Sequence, residues 1–296
     1  SWRRTDLRLL SLPFLINCDD MFMLACTTLA YSPARLVTSS PISSRTATPA
    51  METVADLKEL AKDLNPLVGF WDPLGLADAA SGSEDSFLTE EAAIGWLRQS
   101  EIKHGRVAMA AFVGFIVQSN GIHFPWNLAT DVSYADISAA GGPAMQWDAL
   151  PTAAKLQIFG AIGFLEGWSE NYKALAADGQ KHYMKGGKPG YFPSFKNGVS
   201  PSIHPMPLDL WDPFGFTKKM SDEAKAKSLR AEINNGRLAM IGIMGFMAAS
   251  KGLIVPGLDS VGIKPYAGEV MAPFSATDSS LPFVADMLSY TLPKIN

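Results

Sequence analysis

The stretch that decides the fold is residues 101–109, "EIKHGRVAM", which returns at residues 232–240 as "EINNGRLAM". In both copies a glutamate and, five positions later, an arginine interrupt a run of small and apolar side chains. Around them, residues 101–125 and 232–256 share eleven identical positions at a constant offset of 131. An internal repeat of this kind predicts two similar elements related by a pseudo-twofold axis.

The repeat lies in two of three segments that are predicted to be membrane-crossing helices, at 89–122, 151–175 and 221–253. The first and third begin at an N-cap residue followed by two acids, and they end at a glycine with a proline shortly beyond. About 33 helical residues make roughly 50 Å, more than a hydrocarbon core of about 30 Å, so these two should tilt or project. The expected fold class is therefore an all-α membrane protein with three transmembrane helices, the first and third a crossed pseudo-twofold pair.

Composition excludes several classes of function. Of the 296 residues 47% are apolar and only 18% are charged, and the net charge is −4. This balance provides no basic surface for phosphates, so no nucleic-acid partner is expected. Both cysteines, Cys18 and Cys26, lie near the N-terminus. The rest of the chain therefore has neither a disulfide framework nor a thiolate metal site.

Residues 1–50 are predicted to be a targeting presequence, and residues 51–296 a single membrane domain. From Met21 to Ala50 the chain has no acid, two arginines and many serines and threonines. That is the composition of an organelle transit segment. The alternative is an N-terminal arm that the mature protein keeps.

The distribution of positive charge predicts the orientation. Residues 107–154 contain no lysine or arginine, whereas residues 173–230 contain ten. By the positive-inside rule, the loop 174–220 faces the side of synthesis, which in an organelle is the stroma or matrix. A short amphipathic helix at 281–292 is expected on the far surface, with the C-terminus.

The charged residues of the repeat require partners, because an unpaired charge at bilayer depth is costly. Across a twofold crossing, Glu101 is expected to pair with Arg237, and Glu232 with Arg106. Small residues around the crossing would let the two backbones approach closely. These pairs could simply pin the helices together, but that interpretation leaves His104 unexplained.

The face that carries Glu101 also carries single donors for a metal. His104 follows Glu101 by three residues, Asn235 follows Glu232 by three, and Gln118 returns to nearly the same face as His104. Isolated donors cannot build the six-ligand shell of bare Mg²⁺, but each can supply the one ligand missing from a metal held by a macrocycle. The pattern therefore indicates chlorophyll magnesium, with one side chain for each pigment.

A di-iron carboxylate site is the alternative for a Glu-x-x-His motif on paired helices. That site needs two such motifs and further glutamates from two more helices. The second copy has Asn235 in place of histidine, only three long helices are predicted, and the arginines would add positive charge beside the metals.

A second duplicated element, "FWDPLGL" at 70–76 and "LWDPFGF" at 210–216, precedes each copy of the repeat. Together the two motifs closely resemble the light-harvesting chlorophyll-binding proteins of thylakoid membranes, over roughly residues 65–290. The resemblance implies that Glu101, His104, Glu232 and Asn235 are axial ligands of chlorophyll a, with Arg106 and Arg237 as ion-pair partners of the glutamates. Gln118 matches a ligating glutamine of the family's other crossing helix, where this chain has Ala249.

The resemblance also assigns roles outside the crossing. The WDP elements are expected to hold carotenoid end groups through Trp71, Asp72, Pro73, Trp211, Asp212 and Pro213, although taken singly each could be an ordinary helix-entry turn. In the middle helix Gln157 and Glu166 are candidate chlorophyll ligands on opposite faces. Glu166 could instead pair with Lys173 or remain a helix-end carboxylate.

The "EIKHGR" copy and the middle segment "QIFGAIGFLE" resemble the red-lineage algal antennae. That branch implies chlorophylls a and c, rather than chlorophyll b, with fucoxanthin, peridinin, diadinoxanthin or a similar xanthophyll. The expected protein is a non-enzymatic antenna of the chloroplast thylakoid membrane. Its expected partners are thylakoid lipids, other antenna subunits and a photosystem core, photosystem I more than II. The alternatives are a photoprotective relative that dissipates energy and a pigment-free membrane protein.

Overall fold

The computed structural model describes residues 53–77, 89–196, 209–270 and 272–289. The expected presequence, residues 1–50, lies outside this part of the chain. Within it the protein is mostly helical, in agreement with the all-α expectation. The helices are α1 (Val54–Leu64), α2 (Glu90–Ser119), α3 (Tyr134–Ala139), α4 (Pro143–Asp148), α5 (Thr152–Ser169), α6 (Tyr172–Ala177), α7 (Asp222–Ser250) and α8 (Val284–Ser289). Single turns of 3₁₀ helix lie at Tyr183–Lys185, Thr217–Lys219 and Ala276–Asp278. Two short strands, β1 (Asn127–Ala129) and β2 (Val132–Ser133), form an antiparallel hairpin.

Helices α2 and α7 begin where the sequence predicts. The side chain of Thr89 accepts a hydrogen bond from the backbone N–H of Ala92, and that of Ser221 accepts one from Ala224. Two acids follow each cap and favour the positive end of the helix dipole. Both helices end shortly before their predicted boundaries, so the repeated sequence folds into repeated helices.

The middle helix is shorter than the predicted 151–175. Helix α5 ends at Ser169, and the chain turns before it re-enters a helix at α6. The reason is Asn171, whose side-chain oxygen accepts hydrogen bonds from the N–H groups of Lys173 and Ala174 at 2.9 and 3.4 Å. This arrangement is an N-cap, and it starts a new helix rather than continuing the old one.

Helices α2 and α7 cross where the repeat has its glycines. A Cβ atom placed on Gly105 would lie 3.1 Å from the Cα of Gly236, and one on Gly236 would lie 2.9 Å from the Cα of Gly105. Further along, the rings of Phe115 and Phe246 stack with centroids 4.9 Å apart. Both pairs are separated by the offset of the repeat, so each residue faces its own repeat counterpart, as a twofold crossing requires.

A buried ion pair, which the sequence does not predict, holds the C-terminal segment against α5. The Nζ atom of Lys155 donates to Asp278 at 2.6 Å, and the side chains of the pair are 0% and 1% exposed. The hydroxyl of Thr152 donates to the other carboxylate oxygen at 2.6 Å. Nearby, Tyr266 donates to Asp148 at 2.7 Å, so the segment after α7 is held against both α4 and α5.

The amphipathic helix expected at 281–292 is present as α8, over Val284–Ser289, and the last positions of the expected range lie outside the described residues. Among the helices that the structure describes, none combines the length and the apolar character that a membrane crossing would need.

Candidate ligand-binding site

Two reciprocal ion pairs connect α2 and α7 beside the glycine contact. The Nε atom of Arg237 lies 2.7 Å from Glu101, and the Nε atom of Arg106 lies 2.6 Å from Glu232. This is the crossed pairing that the repeat predicts. The side chains of Glu101 and Glu232 are only 23% and 25% exposed. The arginine of the other helix therefore stabilises a carboxylate that would otherwise be costly to bury.

The two glutamates are not equivalent, because Glu101 has a second arginine. Arg98, one turn earlier on α2 and 6% exposed, donates to the Oε2 atom of Glu101, while Arg237 donates to Oε1. Glu232 accepts only from Arg106 within the described chain, and its Oε2 atom remains available. The repeat counterpart of Arg98 is Leu229, which explains the asymmetry.

His104 has the geometry of a ligand whose tautomer is fixed. Its Nδ1 atom lies 2.8 Å from the carbonyl oxygen of Ser100. A carbonyl can only accept, so Nδ1 carries a proton, and in the neutral ring Nε2 then holds the lone pair that a histidine uses to ligate a metal. The ring is exposed on the face of α2. Asn235, its counterpart on α7, is also exposed, and its side chain makes no hydrogen bond within the described residues.

Glu166 neither pairs with Lys173 nor remains an unpaired helix-end carboxylate, the two alternatives to a ligand role that the sequence left open. It forms an ion pair with Lys103 of α2, not with Lys173, and Lys103 also donates to Ser169 at 3.0 Å. Lys103 therefore links α5 to α2. Glu166 now resembles Glu101 and Glu232, because all three carboxylates are held by a cation from another helix.

Gln118 and Gln157 lie in the wall of one cavity of about 680 Å³. Gln118 is exposed on the last turn of α2, and Gln157 is exposed on α5. Gln157 and Glu166 are therefore separated, as their spacing predicts: one lines the cavity and the other faces α2.

The WDP loops share one hydrogen-bonding pattern, although Asp212 has a positive φ of 53° and Asp72 does not. Asp72 accepts hydrogen bonds from the N–H groups of Leu76 and Ala77 at 3.0 and 2.8 Å. Asp212 accepts them from Phe216 and Thr217 at 2.6 and 2.9 Å. In each loop a glycine with positive φ closes the turn, since no side chain obstructs that conformation. The N–H of Ala77, followed by those of neighbouring residues, lowers the pKa of Asp72 and thereby stabilises the charged carboxylate.

These contacts give the WDP aspartates a structural role as loop-closing groups, and their role at a carotenoid end group stays a prediction. The tryptophans behave differently, since Trp71 and Trp211 are 75% and 67% exposed. Trp71 lines a groove of about 570 Å³ that also contacts Glu101 and Arg237. Trp211 lies under the guanidinium of Arg106, 5.8 Å from the ring centroid. Pro73 and Pro213 follow the aspartates in these loops.

The sequence alone predicts neither Arg98, nor Lys103 as an ion-pair partner, nor the pair formed by Lys155 and Asp278. The sequence does contain an indication of the ion pair between Arg98 and Glu101, because the two residues are three apart and share a helix face. The other two pairs join residues 63 and 123 positions apart, and no local pattern predicts which acid each lysine meets.

Residues 56–251 match the family model described as Chlorophyll A-B binding protein. The chain is 37% identical over 186 residues to a chloroplastic fucoxanthin-chlorophyll a-c binding protein of Trieres chinensis, covering 62% of this chain and 73% of that protein. It is 34% identical over 190 residues to the fucoxanthin-chlorophyll a-c binding protein F of Phaeodactylum tricornutum, which covers 63% of this chain and 76% of that protein. Protein D from Macrocystis pyrifera is 33% identical over 180 residues, covering 61% and 79%.

The chain therefore belongs to the light-harvesting chlorophyll-binding family. Its residues fit that membership, because an exposed imidazole whose Nδ1 faces a carbonyl, and carboxylates held in place by arginine, are the kinds of single donor that a macrocycle-bound magnesium would take.

Proposed function

We propose that this protein is a thylakoid antenna that binds chlorophylls a and c and a xanthophyll such as fucoxanthin, and passes excitation energy to a photosystem core. The observation that carries the proposal is the reciprocal pairing of Glu101 with Arg237 and of Glu232 with Arg106 beside an exposed His104. The pigment classes follow from the names of the three relatives and from the membership of the family.

The repeat supplies the axial ligands in this proposal. Glu232 offers Oε2, His104 offers Nε2, and Asn235 offers its amide oxygen. Glu101 contributes through an oxygen that it shares with an arginine, since a carboxylate oxygen has more than one lone pair. Three further ligands are proposed. Gln118 lies on the last turn of α2, and Gln157 and Glu166 lie on α5.

The proposed setting is the thylakoid membrane, with α2, α5 and α7 as the helices that cross it. These helices have 30, 18 and 29 residues. The corresponding lengths are about 45 Å, about 27 Å and about 44 Å, close to or above a hydrocarbon core of about 30 Å. Charged side chains where α2 contacts α5 and α7 form ion pairs across the helices, as charges at this depth require. Lysines after α5 favour a stromal position for the loop 174–220 and a lumenal C-terminus.

A rigid crossing supports energy transfer rather than bond chemistry. Glycines in backbone contact, two interhelical ion pairs and stacked phenylalanines hold α2 and α7 in one geometry, so ligands on their outer faces keep fixed separations. Bound chlorophylls and carotenoids supply the light absorption and the excited states. The photosystem core is the proposed acceptor, photosystem I before II, with other antenna subunits as neighbours.

Pigment extraction from the purified native protein tests the proposal. Chromatography should yield chlorophylls a and c with fucoxanthin or a related xanthophyll, at several pigments per polypeptide. If chlorophyll b is found in place of chlorophyll c, the proposed antenna function stands and the proposed pigment class is wrong. A colourless protein would contradict the proposal.

A further inference from the structure

Residues 182–190, here called the docked segment, lie against α2 in the loop that follows α6. The segment opens with the 3₁₀ turn at Tyr183–Lys185. A Cβ atom placed on Gly95 of α2 would lie 2.5 Å from the carbonyl oxygen of Tyr183, so a glycine on the helix lets the backbone of the segment approach closely. The loop therefore packs directly on one of the two helices of the crossing.

The first anchor of the docked segment is His182. Its Nδ1 atom accepts a hydrogen bond from the N–H of Met184 at 3.3 Å, so the ring proton is on Nε2. Nε2 lies 2.6 Å from Glu170, the residue that caps the end of α5. Glu170 also lies 3.8 Å from the Nζ atom of Lys103 on α2. The start of the segment is therefore held to the end of α5, beside a lysine of α2.

The second anchor is the backbone of Gly190, which forms two hydrogen bonds with α2. Its N–H donates to the Oε1 atom of Gln99 at 2.5 Å, and Gln99 is only 5% exposed. Its carbonyl oxygen accepts a bond from the Nη1 atom of Arg106 at 2.7 Å. Gly190 has a φ of 76°, and a Cβ atom there would lie 2.8 Å from the Cγ2 atom of Ile102. Only glycine lets the backbone reach α2 here without strain.

The docked segment touches the ion pair of the crossing, because Arg106 is the residue that holds Glu232. The Nε atom of Arg106 is bonded to Glu232 at 2.6 Å while its Nη1 atom is bonded to Gly190. A guanidinium is planar and rigid, so bonds at two of its nitrogens fix the orientation of the whole group. Arg237, the repeat counterpart of Arg106, donates to Glu101 and has no such backbone acceptor within the described residues.

We propose that the docked segment positions Arg106, and through it Glu232, and that it thereby sets the absorption energy of the pigment bound at Glu232. The proposal rests on the antenna function and gives the segment a part in it. The physical reason is that groups which orient a ligand also tune the metal that the ligand binds. Gln99 and Gly190 are then positioning residues, since both act through Arg106 and neither supplies a ligand. The pigment at Glu101 should not respond to the segment.

The test uses the full chain refolded with a pigment extract from thylakoids, with low-temperature absorption recorded beside the pigment count. The double variant Glu232→Leu with Arg106→Leu removes the ion pair whole, and the band that it loses identifies the pigment at Glu232. Gln99→Met removes the acceptor of the Gly190 N–H at similar volume. It should shift that band, with the chlorophyll count unchanged, and shift nothing when added to the double variant. Lys188→Ala, an exposed change within the segment, is the matched control and should leave every band in place.

A second measurement does not depend on pigments. Trypsin cleaves after lysine, and Lys185 is exposed within the docked segment. Gln99→Met and Gly190→Ala should both be cleaved faster there than the unaltered chain, because each weakens the attachment to α2. Faster cleavage with every band in place would overturn the proposal, since the segment would then have a structural role only.

A shift spread equally over all bands would also overturn the proposal, because it would show a general loosening of the fold. If Gln99→Met does not assemble, Gly190→Ala is judged by the same band. The failure of the antenna function would look different, because the unaltered chain would then bind no chlorophyll, while trypsin would still show whether the segment is docked.

Discussion

At the scale of single residues, Arg98 makes one half of the repeat differ from the other. It occupies Oε2 of Glu101, the oxygen that Glu232 leaves available on the other helix. A magnesium ligated by Glu101 must therefore share or displace a charge-assisted hydrogen bond, which typically contributes about 1.5–3 kcal/mol.

We predict that Arg98→Leu, which copies Leu229 of the other helix, strengthens pigment binding at Glu101. The measure is the pigment concentration that half-saturates refolding with chlorophyll, which should fall by up to about tenfold, the ratio that corresponds to about 1.4 kcal/mol. The reciprocal variant Leu229→Arg should weaken binding at Glu232. Weaker binding in Arg98→Leu, with the fold retained, would contradict this view of the asymmetry.

His104 gives the second prediction at this scale. His104→Leu should remove one chlorophyll per polypeptide, because leucine has no donor, while the exposed position spares the helix crossing. His104→Asn copies Asn235 and serves as the matched control, which should keep the pigment. The comparison is made by pigment stoichiometry together with circular dichroism. An unchanged stoichiometry in the leucine variant would exclude His104 as a ligand.

At the scale of the elements, the crossing of α2 and α7 depends on a contact between two glycine backbones. Gly236→Ala places a Cβ atom 2.9 Å from the Cα of Gly105, and neither backbone can yield without moving a helix. Overpacking of this kind costs about 1–3 kcal/mol. We therefore expect a lower melting temperature and weaker excitonic circular dichroism.

Gly114→Ala is the control for the glycine contact, since the new Cβ would have no atom within 4 Å besides the adjoining backbone of its own helix and its chain neighbours. This substitution should be neutral or stabilise the helix by up to about 1 kcal/mol through its better helix propensity. Equal melting temperatures for Gly236→Ala and Gly114→Ala would show that the glycine contact does not limit the stability of the crossing.

The ion pair of Lys155 and Asp278, which holds the C-terminal segment against α5, is the second contact between elements. Burial alone would raise the pKa of Asp278, but hydrogen bonds from Lys155, Thr152 and the N–H of Ser275 outweigh it and lower the pKa to about 2. The folded pKa therefore lies below the ordinary value of 3.8. The stabilisation is then complete above about pH 5 and is lost only as the pH falls towards the folded pKa.

The C-terminal attachment should therefore be independent of pH between about 5 and 8, which argues against its use as an acid-triggered switch for energy dissipation. Fluorescence lifetimes of the purified protein across this range should stay constant. Lys155→Met should cost about 3–5 kcal/mol, because it leaves a buried carboxylate without its cation. The double variant Lys155→Met with Asp278→Asn should recover most of that loss in thermal melts. A lifetime that shortens several-fold at the acidic end of this range would favour a dissipative protein.

At the scale of the whole molecule, the sequence predicts the features that follow from the repeat, which are the crossed ion pairs and the starts of α2 and α7, and few of the others. The duplicated Glu and Arg predict the crossed pairs because residues five apart on one helix face differently, whereas a twofold crossing brings each glutamate to the arginine of the other helix. The N-caps predict where α2 and α7 begin. The end of α5 at Ser169 and the attachment of Asp278 to Lys155 depend on Asn171 and on a contact across 123 positions, and periodicity carries no information about either.

The cavity lined by Gln118 and Gln157 shows the same limit. Several separate elements build its walls, and the sequence does not predict that these two glutamines line one cavity. Membership of the family brings the expectation of pigments, whereas the geometry distinguishes the donors that are available from those that are already engaged.

The fluorescence excitation spectrum of the purified protein, recorded at chlorophyll a emission, tests most directly the claim that the repeat holds pigments in an energy-transferring array. We predict that light absorbed by the xanthophyll and by chlorophyll c excites chlorophyll a efficiently. The excitation spectrum should then follow the absorption spectrum, and the xanthophyll bands should vanish from it when Gly236→Ala disturbs the crossing. An excitation spectrum of the native protein that contains chlorophyll a bands alone would contradict the account.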